Sequence, residues 1–439
     1  MRSSSTGCFR ALQLTTSLAI ALALLGFFGV AQSAKAQIVT LGTFDGANGA
    51  LPQAGLTLSS DGTTFYGTTS FGGSNNNGTV FSIAVTGGTI STVADFTQPA
   101  VGPSLTGTQP LGAVTLGSDG GTLYGTTSNG GTGGPSGGGT IYSVSATGSN
   151  ATPTTLAPFT GISPEGATPQ GSLTLSGSTL YGTTYQGGAN RVGTVFSEST
   201  SGGAPTTLAS FDYGTNGANP SAGLILSGGI LYGTTSSGGS GGNGTIFSVS
   251  ASGGPINTLA TFSGDGSNGA AAVGNLILVG NTFYGTTSQG GTSGDGTVFS
   301  FNLTTSTLTT LASFNGVNGA LPKASLTLNG GGNILYGTTY QGGADGDGTV
   351  FSLNLDSNVL VALASFTGTD GIGANPQSDL NLIGNILYGT TFQGGVNGEG
   401  TVFSFDTAAI PEPSLWPLSL ISLGVLACLR QRIGRGQVD

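Results

Sequence analysis

Short apolar runs alternate with polar, glycine-rich segments along most of the chain. In one representative stretch the runs are Ser325–Leu328, Ile334–Thr339, Gly348–Leu353 and Val359–Phe366, and Gly, Asn or Asp clusters bound them. Runs of about four to eight residues that are rich in Val, Leu, Phe, Tyr and Thr are typical of β-strands. None has the length or the 3.6-residue period of a helix. We name the four strands A to D in chain order and expect an all-β protein.

This set of four runs recurs seven times. The phrase YGTT marks each copy at intervals of 51 to 58 residues, with its tyrosine at Tyr66, Tyr124, Tyr181, Tyr232, Tyr284, Tyr336 and Tyr388. A fixed period near 50 with four strands per unit is typical of a β-propeller blade. Because blades pack face to face, both faces of each sheet are buried, which explains why the runs lack clean alternation. The repeat predicts a seven-bladed β-propeller of four-stranded blades.

The two ends of the repeat region complement each other. Ile38–Phe44 matches a D strand such as Thr206–Phe211, whereas the region ends at Gly400–Phe405, a C strand with no D strand after it. We therefore expect the N-terminal strand to complete the last blade and so remove two exposed sheet edges. A linear β-solenoid, the alternative, would not need such complementary ends. The propeller domain is predicted to span residues 37–407.

Residues 1–36 have the pattern of a secretory signal peptide. Arg2 and Arg10 precede an apolar stretch from 18 to 31, and Ala34-Lys35-Ala36 forms a small-residue cleavage site with Ala34 and Ala36 as its key positions. An uncleaved anchor helix is the alternative interpretation.

Residues 408–439 form a second terminal segment. Pro411-Glu412-Pro413 precedes an apolar run from 415 to 429, which is short for a full membrane span, and Arg430, Arg432 and Arg435 follow it. Basic residues at this place favour a cytoplasmic C-terminus. The order of motif, short transmembrane helix and Arg cluster resembles a PEP-CTERM sorting signal. The resemblance implies an exosortase-type sorting enzyme as a partner and a destination at the cell surface or outside the cell, with membrane contact through the terminal segments only. A plain tail anchor is the alternative.

The repeat itself resembles a known family. The cassette LYGTT-x-x-GG-x-x-x-x-GTVFS, followed by TLASF-x-G and P-x-A-x-L, is similar to the GloVer tandem repeat across residues 37–405. That resemblance implies an exported bacterial repeat protein and supplies no established catalytic residues.

Composition excludes several classes of function. The 439 residues include 84 glycines and no histidine, so a Ser-His-Asp triad, a Cys-His pair and a His-ligated zinc are absent. The 8 basic residues face 18 acidic ones, which argues against nucleic acid as a partner. Between 37 and 410 the only basic residues are Arg191 and Lys323, and there is no cysteine to form a disulfide.

Acidic residues collect on the face that the B–C loops and D–A linkers would form. Asp295, Asp345 and Asp347 lie in such loops, where oxygen ligands and flexible glycines would suit calcium. The same residue types also stabilise tight turns, so both interpretations stay open. No other cofactor is expected. Fewer acidic residues fall on the opposite face, where we place Glu198.

The same loop face holds the candidate ligand contacts. Tyr340 and Phe392 follow B strands at the loop entrance and could stack on sugar rings or pack locally, and Asp345, Asp347 and Glu399 lie in the loops beside them. We expect an exported, non-catalytic protein that binds polysaccharide or a surface protein through this face. The alternatives are a polysaccharide-active hydrolase or lyase that uses these carboxylates and a structural matrix component without a ligand.

Overall fold

A computed structural model describes residues 37–97, 106–131, 137–161, 163–266, 268–369 and 371–409. The predicted signal peptide and the predicted sorting segment from Pro411 onward lie outside these residues. Residues Ile38–Thr407 form one compact unit. Within the described ranges, no helix has the length and apolarity needed to cross a membrane.

The described residues form 32 strands and one short 3₁₀ helix, Thr407–Ala409. β1 is Ile38–Thr43. Blade 1 contains β2 Thr57–Leu58, β3 Thr64–Thr69, β4 Thr79–Ala84 and β5 Ser91–Asp95; blade 2, β6 Thr115–Leu116, β7 Thr122–Thr127, β8 Thr140–Ser145 and β9 Thr154–Pro158; blade 3, β10 Gly166–Ala167, β11 Thr174–Ser176, β12 Thr179–Thr184, β13 Gln186–Gly187, β14 Thr194–Ser199 and β15 Thr206–Ser210; blade 4, β16 Ile225–Ser227, β17 Ile230–Thr235, β18 Thr245–Ser250 and β19 Asn257–Thr261; blade 5, β20 Ile277–Val279, β21 Thr282–Thr287, β22 Thr297–Asn302 and β23 Thr307–Ser313; blade 6, β24 Thr327–Leu328, β25 Ile334–Thr339, β26 Thr349–Asn354 and β27 Val359–Ser365; blade 7, β28 Gly373–Ala374, β29 Asn381–Ile383, β30 Ile386–Thr391, β31 Gln393–Gly394 and β32 Thr401–Asp406.

Seven four-stranded antiparallel sheets confirm the predicted propeller. In the first six blades the A, B, C and D strands follow each other in chain order, whereas blade 7 has the order β29-β30-β32-β1. Ile38 pairs with Phe405 and Thr43 with Thr401, so the N-terminal strand supplies the missing D strand. The ring is therefore closed by pairing the two ends of the domain, as the complementary sequences predict.

Each D–A linker lies against the B–C loop of the blade that follows it. This contact is a two-residue ribbon in blades 3 and 7, where β10 pairs with β13 and β28 with β31. In blade 1 it is a single bridge between Ala50 and Phe71. Linkers and B–C loops therefore form one face of the ring, which we call the loop face, as predicted.

The last threonine of each YGTT phrase joins the end of the B strand to the start of the C strand. In blade 1 the hydroxyls of Thr69 and Thr79 lie 2.9 Å apart, and Thr79 N donates to Thr69 Oγ1 at 3.1 Å. The equivalent hydroxyl pairs in the other six blades lie 2.8 to 2.9 Å apart. Both members of each pair are buried and hydrogen-bonded, which explains why this polar motif recurs within the core.

The glycine of YGTT makes room for an aromatic ring. A Cβ atom added to Gly67 would lie 2.5 Å from Phe81 Cζ of the neighbouring C strand and 3.2 Å from Leu56 Cδ2. The other six blades repeat this contact, with Tyr142 in place of phenylalanine in blade 2. The close neighbour of this glycine is therefore a side chain of the same blade and not the backbone of a neighbouring strand.

A second aromatic contact joins each blade to the next. The ring that follows each D strand meets the C-strand ring of the next blade edge-on, with centroids 4.9 to 5.1 Å apart: Phe44–Phe81, Phe96–Tyr142, Phe159–Phe196, Phe211–Phe247, Phe262–Phe299, Phe314–Phe351 and Phe366–Phe403. Such edge-to-face pairs are favourable beyond the area they bury. The Phe44–Phe81 pair closes the ring, because Phe44 follows the N-terminal strand.

The structure corrects the predicted placement of one acidic residue, Glu198. Instead of lying in a turn, it occupies the C-strand position of blade 3 that holds Val144 in blade 2 and Val249 in blade 4, and it is only 5 % exposed. Its Oε1 accepts a hydrogen bond from Ser199 N at 3.0 Å, while Oε2 has no hydrogen-bond partner among the described residues. Burial raises the pKa of this carboxyl group.

Replacing Glu198 with valine should therefore stabilise the protein. The change removes a buried oxygen without a partner, so we expect the free energy of unfolding to rise by about 1 kcal/mol at pH 7. Burial raises the pKa of Glu198 in the folded protein, so the protonated side chain is the form that the folded state favours. The stability that this preference provides is fully present below the pKa of the unfolded state and is lost as the pH rises through the pKa of the folded state. The advantage of Glu198→Val should therefore shrink at pH 4 in urea titrations. An equal advantage at both pH values would contradict the assignment.

Candidate functional site

A ring of seven side chains surrounds the mouth of the central channel on the loop face. Each belongs to a D–A linker and stands at the same place in the P-x-A-x-L motif: Gln53, Leu111, Gln170, Ser221, Val273, Lys323 and Gln377. Together with Tyr185, Ser236 and Ser288 they line a recess of about 440 Å³. Every blade thus contributes one residue to a single polar opening, which we call the channel mouth.

A repeated backbone conformation directs each linker towards the channel. The residue before the proline position has a left-handed conformation in all seven blades, although none of these residues is glycine: Leu51, Gln109, Thr168, Asn219, Ala271, Leu321 and Asn375. Its N–H donates to a carbonyl at the end of the preceding blade's B–C loop, as in Leu321 N to Asp295 O at 2.9 Å. These bonds fix the entry of every linker into the A strand, so the side chains of the channel mouth sit on a rigid frame.

Below the channel mouth, a second layer of side chains crosses the channel. Asp379 Oδ2 accepts from Asn275 Nδ2 at 2.8 Å, and Oδ1 accepts from Ser325 N at 2.7 Å. Asn275 Oδ1 in turn accepts from Gly223 N at 2.5 Å. Blades 4, 5, 6 and 7 are thereby joined by hydrogen bonds along the channel, and each carboxylate oxygen of Asp379 accepts one of them.

Lys323 is the one charged side chain in the ring of the channel mouth. It is half-buried, its Nζ lies 3.6 Å from the centroid of the Tyr340 ring, and it donates to Gln377 Oε1 at 3.5 Å. Burial lowers the pKa of its ammonium group. A cation over an aromatic face is attracted by the ring quadrupole, so Tyr340 orients the ammonium group at the opening.

The position of the predicted aromatic contacts, directly after YGTT, holds an aromatic residue in some blades and a serine in others. Tyr340 and Phe392 occupy the position after YGTT in blades 6 and 7, and both are half-buried. Tyr185 has the same position in blade 3 and lines the recess. In blades 1, 2, 4 and 5 the position holds a serine whose hydroxyl donates to the linker, as in Ser236 Oγ to Asn219 O at 2.8 Å. Of these three aromatic rings, Tyr185 lines the recess and Tyr340 contacts Lys323 of the channel mouth.

The predicted acidic contacts do not line the channel mouth. Asp295, Asp347 and Glu399 occupy the end of the B–C loop in blades 5, 6 and 7, where the main-chain carbonyl holds the next linker, while Asp345 is exposed in the same loop as Asp347. Glu399 shares a separate recess of about 360 Å³ with Phe71, at the seam between blades 7 and 1. The structure therefore brings Tyr340 to Lys323 but does not gather the acidic residues around it.

The calcium hypothesis stays a prediction. Among the described residues, no group of three or more Asp, Glu, His or Cys side chains is placed to hold a metal ion. Several acidic residues instead stabilise turns: Asp61 Oδ1 accepts from the Ser59 hydroxyl at 2.6 Å, which is the main cause of its lowered pKa. Asp45 Oδ1 likewise accepts from Asn48 N at 2.9 Å.

Sequence reasoning missed most of the channel mouth. Lys323 was singled out only as an isolated cation, and Gln53, Gln170, Gln377 and Asp379 were not singled out at all. The available signal was the variable position after proline in P-x-A-x-L. Seven residues at this position, about 50 apart, share one opening once the ring is closed.

The architecture is that of a seven-bladed β-propeller whose seven linkers build one polar opening. The model of the Gloeobacter/Verrucomicrobia repeat matches residues 102–280 and 265–412. The chain belongs to this repeat family, in agreement with the resemblance of its cassettes. No curated protein matches it.

Several solved structures share the fold at low sequence identity. An oligogalacturonate lyase in complex with manganese is 12% identical, with a TM-score of 0.51 over 87% of this chain and 94% of that chain. A periplasmic gluconolactonase from Pseudomonas aeruginosa is 16% identical, with a TM-score of 0.47 over 78% and 96%. The extracellular domain of a putative one-component system from B. thetaiotaomicron is 13% identical, with a TM-score of 0.47 over 84% of this chain and 40% of that chain. These similarities concern the fold alone.

Proposed function

We propose that this protein is an exported, non-catalytic binding protein that holds a saccharide at its channel mouth. The supporting observation is the ring of amide, hydroxyl and ammonium groups there, with Tyr185 and Tyr340 beside it. A concave opening with a few convergent polar groups and aromatic walls is the usual form of a small-ligand site. Sugars offer hydroxyl groups to such amides and apolar ring faces to such aromatics.

The acidic residues support binding rather than catalysis. A glycosidase needs two carboxyl groups that flank one bond, and the described residues that line the channel mouth and the layer below it include a single acidic side chain, Asp379. Its two oxygens already accept hydrogen bonds from Asn275 and Ser325. The remaining loop acids lie on B–C loops and linkers outside the channel, and only Asp345 and Asp347 share a B–C loop.

A glycan array with and without calcium tests this function. We expect the protein to retain a defined glycan and Tyr340→Ala to lose at least tenfold in affinity, because the change removes both an aromatic wall and the support of Lys323. Tyr213→Ala is the matched control, since Tyr213 is a 52 % exposed tyrosine of a linker outside the recess.

Three results would contradict the proposal. Retention of no glycan would favour a structural matrix component. Release of reducing sugar or unsaturated product, lost in Asp347→Ala, would favour an enzyme. Equal losses in Tyr340→Ala and Tyr213→Ala would move the site away from the channel mouth.

A further inference from the structure

The half-buried ammonium group of Lys323 has no anionic partner in the part of the chain that the structure describes. Its polar contact is a long hydrogen bond of 3.5 Å to the neutral amide oxygen of Gln377, and the Tyr340 ring covers one side of it. A charge taken partly out of water is costly unless it is paired or well hydrogen-bonded. The three N–H donors of an ammonium group exceed what these two contacts satisfy.

The surroundings of Lys323 offer no internal carboxylate to complete the pair. The other six side chains of the ring are uncharged. Asp379 lies in the layer below, and its two oxygens accept from Asn275 Nδ2 and Ser325 N. Ser221 Oγ, on the ring two blades away, is buried without a hydrogen-bond partner among the described residues. The channel mouth therefore holds an ammonium group and a hydroxyl group that are both incompletely satisfied.

We propose that the channel mouth selects a saccharide that carries an anionic group, a carboxylate or a sulfate ester, and that this group pairs with Lys323 Nζ. The inference rests on the proposed function and specifies its ligand. An oxygen anion would complete the coordination of the ammonium group, and charge-assisted hydrogen bonds of this kind are roughly twice as strong as neutral ones. Sugar hydroxyls would meet Ser221 and the glutamine amides of the same ring.

The charge of the whole domain limits which anionic sugar fits. Acidic residues greatly outnumber Arg191 and Lys323 between 37 and 410, so a densely charged polyanion would be repelled by the loop face as a whole. At physiological salt the field of the outer loops is screened beyond about 8 Å, whereas a partly buried pair is screened much less. A sugar with a single anionic group close to Lys323 would therefore gain the contact with little repulsion.

Calorimetry with three matched trisaccharides tests the proposal: a neutral one, the same sugar with one uronic acid, and the same sugar with one sulfate ester. We expect at least one anionic form to bind the protein tenfold or more tightly than the neutral form. Lys323→Met should abolish this preference, so that the anionic forms bind no more tightly than the neutral form, and Lys323→Arg should keep it. Arg191→Met, which removes the exposed cation of a B–C loop, is the control and should behave as the parent protein.

The outcomes separate this proposal from the function on which it rests. Equal binding of all three sugars, or a preference that survives in Lys323→Met, overturns the anionic ligand and leaves saccharide binding intact if Tyr340→Ala still weakens the neutral sugar. Binding of none of the three overturns both. The uronate and sulfate arms identify which anion the site prefers, and thermal melts that match the parent protein exclude misfolding of the variants.

Discussion

Removal of residues 37–44 should prevent the ring from closing. The deletion takes away β1, which is the whole D strand of blade 7, and with it Phe44, whose ring meets Phe81 of blade 1 at 4.9 Å. The outer edge of β32 and the core of the seam would then be exposed to water. We expect the truncated protein to be unfolded or aggregated at 25 °C, as measured by circular dichroism and size-exclusion chromatography.

Two point substitutions measure how much the same seam contributes to the free energy of unfolding, without deleting a strand. Phe44 is fully buried, so Phe44→Ala should lower the free energy of unfolding by about 3–5 kcal/mol. Val39 lies on the same strand but is 52 % exposed, so Val39→Ala should change it by no more than about 0.5 kcal/mol. Similar losses for both variants, or a stable and monomeric deletion protein, would contradict closure by the N-terminal strand.

Gly67→Ala should destabilise the protein by roughly 1–3 kcal/mol, because a new methyl group would overlap a packed ring. The added Cβ would lie 2.5 Å from Phe81 Cζ and 2.7 Å from Cε1 of the same ring, which is itself held by Phe44. Both rings are fully buried at the seam between blades 7 and 1, so displacement of either would disturb the packing of that seam. Urea unfolding followed by fluorescence gives the change in free energy.

Gly121→Ala is the matched control for this effect. Gly121 has no atom within 4 Å of an added Cβ and needs no left-handed backbone, so alanine should be neutral or slightly stabilising there. If overlap with the Phe81 ring causes the destabilisation in Gly67→Ala, then the double variant with Phe81→Leu should lose less free energy of unfolding than the sum of the losses in the two single variants. Additive losses would point to the backbone rather than to the ring.

The fold was predictable because each blade repeats its own local chemistry. The YGTT and GTVFS phrases carry the strand pattern, and the unpaired D strand at Ile38 and C strand at Phe405 indicate how the ring closes. The partner of Gly67 was not predictable, because period and composition do not distinguish a neighbouring backbone from the tip of a phenylalanine ring. The left-handed residues were also hidden, since Leu51 and Leu321 give no sign of that conformation in the sequence.

The site was less predictable because it depends on closure rather than on any one repeat. The linker position that lines the channel holds Gln53 in blade 1, Val273 in blade 5 and Lys323 in blade 6, so it does not stand out as a motif. Asp345 and Asp347 drew more attention, because adjacent acidic residues are visible within one loop. The polar layer of Asn275 and Asp379 joins residues of blades 5 and 7, which only the ring brings together.

The pairing of Ile38 with Phe405 also means that the ring does not depend on which blade comes first in the chain. The first and last strands of the domain run side by side, and their adjoining ends lie at the edge of blade 7 away from the loop face. A short peptide could join them, and the chain could be reopened in a turn of any other blade, giving circular permutants with the same ring.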